Sequence, residues 1–409
     1  MALDPEELRR RRQEQKQLQK EAKKKKLRWI FVIAGVLTVV IAGIFLISFL
    51  ASRQTDASAD PEATEPPDTV IHLAAAGDLN ITDRVVAAGT EDMDYTQTFL
   101  DVGYLLGAAD LSVVNFEGNL AGAPYGSSYA SAPDSMMQAL DAAGVDLIQL
   151  ANSYSIINGM SGLSRTIDAV HSNGMETLGV YSNEEAYQKG GGFTLCEVEG
   201  IRIAVTAFTK GMDGMTLPAG NENCVNLLYT DYDSAYQEVN TEKIDAVMDA
   251  IDAEAPDLVV VMVHWGSEFN DTISASQEKI CKHLQERGVD AIIGTHSHYV
   301  QQMVHDKATG SFVAYSLGDF FGDAPRAGSE YSVVLDLEIT KNATTGETRI
   351  TDYSYTPIFT VTEGEKLQLL RIREAMAAYE SDYMGKVSQT TYDAMAYALK
   401  RIEARITGE

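Results

Sequence analysis

A set of carboxylate, amide and imidazole side chains in this chain falls where apolar runs end. Asp78 follows VIHLAAAG, with Asn80 two residues on. Asn115 and Glu117 follow LSVV, and Asn152 follows VDLIQLA. His264 closes LVVVMV, His296 and His298 follow AIIG, and Asp319 follows VAYSLG. Singly, each is unremarkable: an Asp after Gly or an Asn after a strand is usually a turn or cap residue. Collectively they offer oxygen donors from Asp78, Glu117 and Asn152 and nitrogen donors from His264, His296 and His298. Six such groups are too many for one tetrahedral zinc. They suit two borderline divalent ions (Mn, Fe or Zn) held about 3.5–4 Å apart with a carboxylate between them. Such a pair activates water near neutral pH and clamps the oxygens of an in-line displacement at phosphorus. His296 and His298 are an i, i+2 pair, as are Asp78 and Asn80, and extended backbone would aim both members of a pair to one side.

The elements that must position these residues read as short apolar strands: 70–76, 111–115, 145–152, 201–208, 258–265, 290–295, 312–318 and 331–339. Between several of them lie helical stretches, at 136–144, 162–174, 241–255 and 276–288, the last stopping at Gly288. Strands alternating with helices predict an α/β domain with a largely internal sheet. Ligands in such sheets sit beyond the carboxyl ends of the strands, where these residues cluster. Strand-rich sequence continues to about 361, and the remainder to 409 reads as a polar helical extension.

Charge is distributed unevenly over the 409 residues, whose net formal charge is −27. Residues 1–28 carry eleven Lys or Arg against five acids, and residues 29–50 carry no charge. The 21 basic and 54 acidic side chains beyond residue 50 leave that portion at −33. A domain so acidic repels polyanions, so nucleic acid is not an expected partner. The acidity fits solubility or a salty habitat, and it also fits attraction of cations. Trp29 to Leu50 is 22 uncharged, mostly apolar residues, enough for a helix to cross the hydrocarbon core. It is longer than a signal-peptide apolar region. The Lys/Arg cluster before it predicts an N-terminus inside the cell and residues 51–409 outside, on a single-pass anchor in the cell membrane. Residues 51–69, polar, acidic and Pro-containing, read as a tether leading into a domain over 70–361. Three widely spaced cysteines, Cys196, Cys224 and Cys281, define no disulfide framework.

The ordered series Gly77-Asp78, Asn115-Phe116-Glu117, Asn152, His264-Trp265-Gly266, Gly294-Thr295-His296-Ser297-His298 and Tyr315-Ser316-Leu317-Gly318-Asp319-Phe320 resembles the CapA-type, poly-γ-glutamate capsule-synthesis branch of the calcineurin-like metallophosphoesterases. The resemblance runs from about 70 to 325. It implies a four-layer α/β/β/α sandwich, here preceded by one transmembrane helix, with a centre of two divalent ions and a role in synthesis or export of an anionic surface polymer. It implies Asp78, Glu117, Asn152, His264, His296 and His298 as ligands, with Asn80, Asn115 and Asp319 supporting them. Catalytic roles would fall on His264 and on the residue after the Asn pair. The family pattern there is Asn-Asn-His, whereas this chain has Asn152-Ser153-Tyr154. A phenol with an ordinary pKa near 10 is a poor replacement for an imidazole near neutrality. Asn158-Gly159 and Asp319 are further departures, Asp319 standing where the family has Asn. Two readings follow. One is a phosphoesterase-type hydrolase. The other is a catalytically degenerate accessory subunit of a capsule-synthesis membrane complex. Expected partners are the membrane, other subunits of a synthesis or export complex, and an anionic polymer bridged through the ions.

Overall fold

The computed structural model describes residues 67–90, 93–363, 366–382 and 387–408. The basic segment 1–28, the apolar run 29–50 and nearly all of the tether expected over 51–69 lie outside the described residues. Among the described residues no helix is long and apolar enough to cross a membrane.

Thirteen strands are described: β1 (Thr69–Asn80), β2 (Leu111–Glu117), β3 (Leu147–Gln149), β4 (Glu176–Leu178), β5 (Thr194–Val198), β6 (Ile201–Thr209), β7 (Leu258–His264), β8 (Ala291–Thr295), β9 (Met303–Asp306), β10 (Ser311–Ala314), β11 (Tyr331–Lys341), β12 (Thr348–Glu363) and β13 (Lys366–Arg371). They form two sheets, in the orders β13-β12-β11-β1-β2-β3-β4 and β5-β6-β7-β8-β10-β9. Strands β1 to β4 run parallel, as do β6, β7, β8 and β10, so the carboxyl ends of each parallel set gather along one edge.

The side-chain period of two sorts each strand between layers. In β7, Leu258, Val260 and Met262 enter the core shared by the two sheets, together with Leu73, Val113, Ile203 and Ile293. Val259, Val261 and Val263 point the other way, onto Ile244, Val247 and Ile251 of helix Thr241–Glu254 and Ile280 and Leu284 of helix Ala275–Glu286. Burial on both faces explains why β7 is an unbroken apolar run. Each of these helices starts on a side-chain cap, Asn240 for the first and a Ser274–Gln277 capping box for the second. Helices Leu100–Gly107 and Gly159–Ser172 lie against the first sheet. The result is an α/β sandwich with sheets inside and helices outside.

The C-terminal segment departs from the helical expectation at its start. β12 runs to Glu363 and β13 pairs with it antiparallel, making the edge of the first sheet. Helices Ile372–Glu380 and Gln389–Thr407 follow and pack on that region. The alternation in KLQLLR is too short to be separated from a helical pattern by periodicity alone. Cys196, Cys224 and Cys281 are all unpaired.

Candidate metal centre

β1 delivers Asp78 through a local irregularity. Its register with β2 shifts between Ala76 and Asp78, so Gly77 sits at the bulge. A Cβ on Gly77 would run into the Gly318 carbonyl oxygen, the same oxygen that accepts from the Asp78 N–H at 3.0 Å. The Phe321 N–H returns a bond to the Asp78 carbonyl, 3.2 Å. The segment carrying Asp319 is thereby zipped along the end of β1.

Asn115 joins the two carboxylates of the first sheet. Its Nδ2 donates to Asp78 Oδ1 at 2.6 Å and to Glu117 Oε1 at 3.3 Å. Asn152 Nδ2 donates to Asn115 Oδ1 at 3.0 Å and to the Phe116 carbonyl at 2.8 Å. The Asn152 Oδ1 accepts from the Tyr154 N–H at 3.0 Å. Asp78, Asn115, Glu117 and Asn152 are all buried.

The second sheet supplies the imidazoles. His264 Nδ1 lies 3.0 Å from Thr295 Oγ1, while Nε2 faces Glu117 Oε1 at 3.3 Å and Ser153 Oγ at 3.2 Å. A proton on Nδ1 directed at Thr295 leaves the Nε2 lone pair toward the centre. The His296 N–H donates to Asp78 Oδ2, 3.0 Å. His298 Nδ1 is 2.7 Å from Asp319 Oδ1 and 3.9 Å from Asp78 Oδ2. Its ring stacks on Phe269, centroids 4.8 Å apart.

His296 and His298 both reach the centre, but not by extended backbone. Their φ values are +86° and +58°, in the left-handed region that side chains other than Gly rarely adopt. The turn sends the rings to different places. His296 joins Glu117 and His264, and His298 joins Asp78 and Asp319, with the ligand atoms of each trio within 4.8 Å of one another. Asn80 belongs to neither trio; its amide sits beside its neighbour's backbone, 3.5 Å from the Asp78 carbonyl.

Burial dominates the electrostatics. It raises the Asp78 carboxyl to about 7, with Asp319 adding to the rise against the pull of His298, and it lifts Glu117 well above the usual range. It pushes His264 and His296 well below the ordinary imidazole value, so both are neutral donors. Burial also opposes a charge on His298, but the Asp319 carboxylate and its hydrogen bond, with Glu117 and Asp78, carry that ring up to about 10. Asp319 Oδ2 is buried with no hydrogen-bond partner. A buried carboxylate oxygen left bare is costly in protein alone, and a cation satisfies it. Mixed carboxylate and neutral imidazole donors are the set that borderline divalent ions prefer, so these residues fit metal.

The family model for the bacterial capsule synthesis protein PGA_cap matches residues 72–324. The chain belongs to the PGA_cap family. The PGA biosynthesis protein CapA of Bacillus subtilis (strain 168) is 23% identical over 331 residues, covering 79% of this chain and 80% of that one. The capsule biosynthesis protein CapA of Bacillus anthracis is 27% identical over 216 residues, 53% of this chain, and the match spans only 49% of that relative's length. Among solved structures, the calcineurin-like phosphoesterase YfkN from Bacillus subtilis covers 82% of this chain and 97% of its own at 12% identity, with a TM-score of 0.43.

Every residue of both trios, with Asn80, Asn115, Asn152 and Tyr154, falls inside the PGA_cap match. Tyr154 lies close enough to Glu117, Glu268 and Asp213 for their charges to add to the effect of burial, which together push its phenol up to about 12. Asp319 contacts His298 directly and shares its trio with Asp78. Three contributors escaped the reading of the sequence. Thr295 fixes the His264 ring, Ser153 touches its other nitrogen, and Lys210, the residue after β6, shares a cavity lining with His296. Lys210 was discoverable by the strand-end rule applied above. Thr295 and Ser153 were hidden inside motifs whose imidazoles and amides drew the eye.

Proposed function

We propose that this chain is a membrane-anchored, extracytoplasmic capsule-synthesis protein that holds two divalent ions (Mn, Fe or Zn) in a phosphoesterase-type centre. One observation carries the proposal: two buried trios, Glu117–His264–His296 and Asp78–His298–Asp319, joined by Asn115 hydrogen-bonding to a carboxylate of each. Ions held there supply Lewis acidity toward the oxygens of a phosphoryl group. The protein's part is to fix the donors. Asn115 aims both carboxylates, Asn152 braces Asn115 against β2, and Thr295 holds the His264 ring. On this reading Asp78, Glu117, His264, His296 and His298 are ligands and Asp319 contributes its bare oxygen. Asn152 Oδ1, which accepts from the Tyr154 N–H with one lone pair, keeps a second that could serve an ion.

The polymer supported is poly-γ-glutamate or a similar anionic surface polymer, a reading favoured by the names of the relatives. The uncharged run 29–50 after a basic segment supports a single-pass anchor with residues 51–409 outside the cell. Other subunits of a synthesis or export complex are then natural partners in the membrane. The polymer would approach a domain at −33 through the ions rather than through protein charge.

A second reading, an accessory protein that keeps its ions but turns over little substrate, is favoured by Tyr154. A phenol at about 12 exchanges protons poorly near neutrality, where the family pattern has an imidazole. The deciding experiment is elemental analysis of the full-length chain in detergent, followed by a panel of phosphomonoesters and phosphodiesters, each repeated with His296→Ala. About two ions per chain and hydrolysis that disappears in the variant are expected for the enzyme. A loaded protein inert across the panel leaves the accessory reading, and a chain that takes up no ion removes both.

A further inference from the structure

Beside the Glu117–His264–His296 trio opens a cavity of about 290 Å³ lined by Ser153, Lys210, Asp213, Tyr236, Glu268 and His296, among others. It therefore touches the trio directly through His296, and through Ser153, whose hydroxyl contacts His264. Lys210 is the only cation in its lining. The ammonium is half-buried and makes one hydrogen bond, to the Gly266 carbonyl at 2.9 Å. It also sits 4.5 Å over the Tyr236 ring. Among the described residues no carboxylate comes within 4.0 Å of it, although the chain has 59 acids against 32 Lys and Arg. Glu268 acts on it only at longer range, and burial weakens its hold on its proton.

A half-buried ammonium in so acidic a protein would ordinarily be paired, because desolvating it costs free energy that a carboxylate returns. Here Lys210 has three donors and one accepting oxygen. The spare donors border the cavity. Asp213 and Glu268 stand in the same lining and repel any highly charged occupant. The volume admits a small group only.

We propose that this cavity is an anion subsite, in which Lys210 binds one small oxyanion, a phosphate or a carboxylate, carried by the molecule that the neighbouring ions engage. The inference rests on the metal-centre reading and adds a substrate class to it: a compound with a singly charged anionic group next to the bond or group facing the ions. Lys210 binds and orients; it takes no part in proton transfer.

The test uses the full-length chain in detergent, loaded with Mn, with ion content measured on every sample. Binding of inorganic phosphate and of glutarate is measured by calorimetry for the native protein, Lys210→Gln and Lys210→Arg. One charge-assisted hydrogen bond predicts about a tenfold or greater weakening in Lys210→Gln and partial recovery in Lys210→Arg, with ion content unchanged. Weakening toward phosphate alone identifies a phosphoryl group as the occupant, and weakening toward glutarate identifies a carboxylate. Equal binding by native protein and Lys210→Gln overturns the subsite, as does loss of ions in that variant, or a loaded native protein that binds neither anion. A native protein that retains no Mn instead overturns the metal-centre reading on which the subsite depends.

Discussion

His298 and Asp319 are joined through Nδ1 and Oδ1 at 2.7 Å, and both side chains are almost wholly withdrawn from water. The pair holds the ring charged up to about pH 10, well above its ordinary 6.5. A group whose pKa is higher folded than unfolded stabilises fully below the unfolded value and loses that contribution as pH rises through the folded one. Ion-free protein should therefore exceed its Asp319→Asn variant by about 1–3 kcal/mol at pH 6. The gap should close as pH approaches 10. Urea unfolding in chelator at several pH values measures it, and a gap that does not vary with pH would mean the pair is not ionised.

Ion uptake should expel protons. Burial holds Asp78 up to about 7 and Glu117 well above the usual carboxylate range, while Asp319 and its neighbours keep a proton on His298 to about 10. All three must lose protons to become ligands. Apparent affinity for Mn should rise with pH between 6 and 8. Calorimetry at pH 7 in buffers of different ionisation enthalpy should show about one proton or more released per ion. Heat independent of the buffer would contradict this assignment of ligands.

Tyr154→His is expected to raise the hydrolysis of an activated phosphodiester by about 10²–10⁴-fold over the native chain. The reason is the replacement of a phenol at about 12 by a group that exchanges protons near neutrality. Initial rates on bis(p-nitrophenyl) phosphate at pH 7 measure the effect. An unchanged rate would show that position 154 does not limit turnover.

Gly294→Ala probes the support of the histidine turn. An added Cβ would run into the Tyr315 carbonyl oxygen, which already accepts from Trp265 Nε1 at 2.9 Å. Overpacking at such a site costs about 1–3 kcal/mol. Denaturant unfolding should show that loss. Elemental analysis should show fewer ions, because His296 and His298 follow directly in the chain.

The centre was legible in the sequence because parallel strands deliver their terminal residues to one edge. Asp78, Glu117, His264, His296 and His298 could be picked out from strand ends alone. Their division into two trios could not. It depends on left-handed backbone at His296 and His298, and nothing in Thr295-His296-Ser297-His298 announces a positive φ. For Asn152, the sequence points to a ligand oxygen but not to the grip of its Nδ2 on Asn115 and Phe116, a pairing set by the packing of β2 beside β3. The long internal strands β6, β7 and β8 were plain as apolar runs. Edge strands β5, β9 and β13 expose part of their surface, so their residues alternate too briefly to stand apart from loops or helices.

The carboxylates Asp78 and Glu117 ride on one sheet, and His264, His296 and His298 on the other. Each trio therefore spans the sandwich, and an ion seated in either would rivet its two halves together. Binding to the folded state alone adds about 2.7 kcal/mol when free ion exceeds the dissociation constant a hundredfold. On the proposed extracytoplasmic placement, the working lifetime of the fold would then serve as a gauge of the surrounding ion supply.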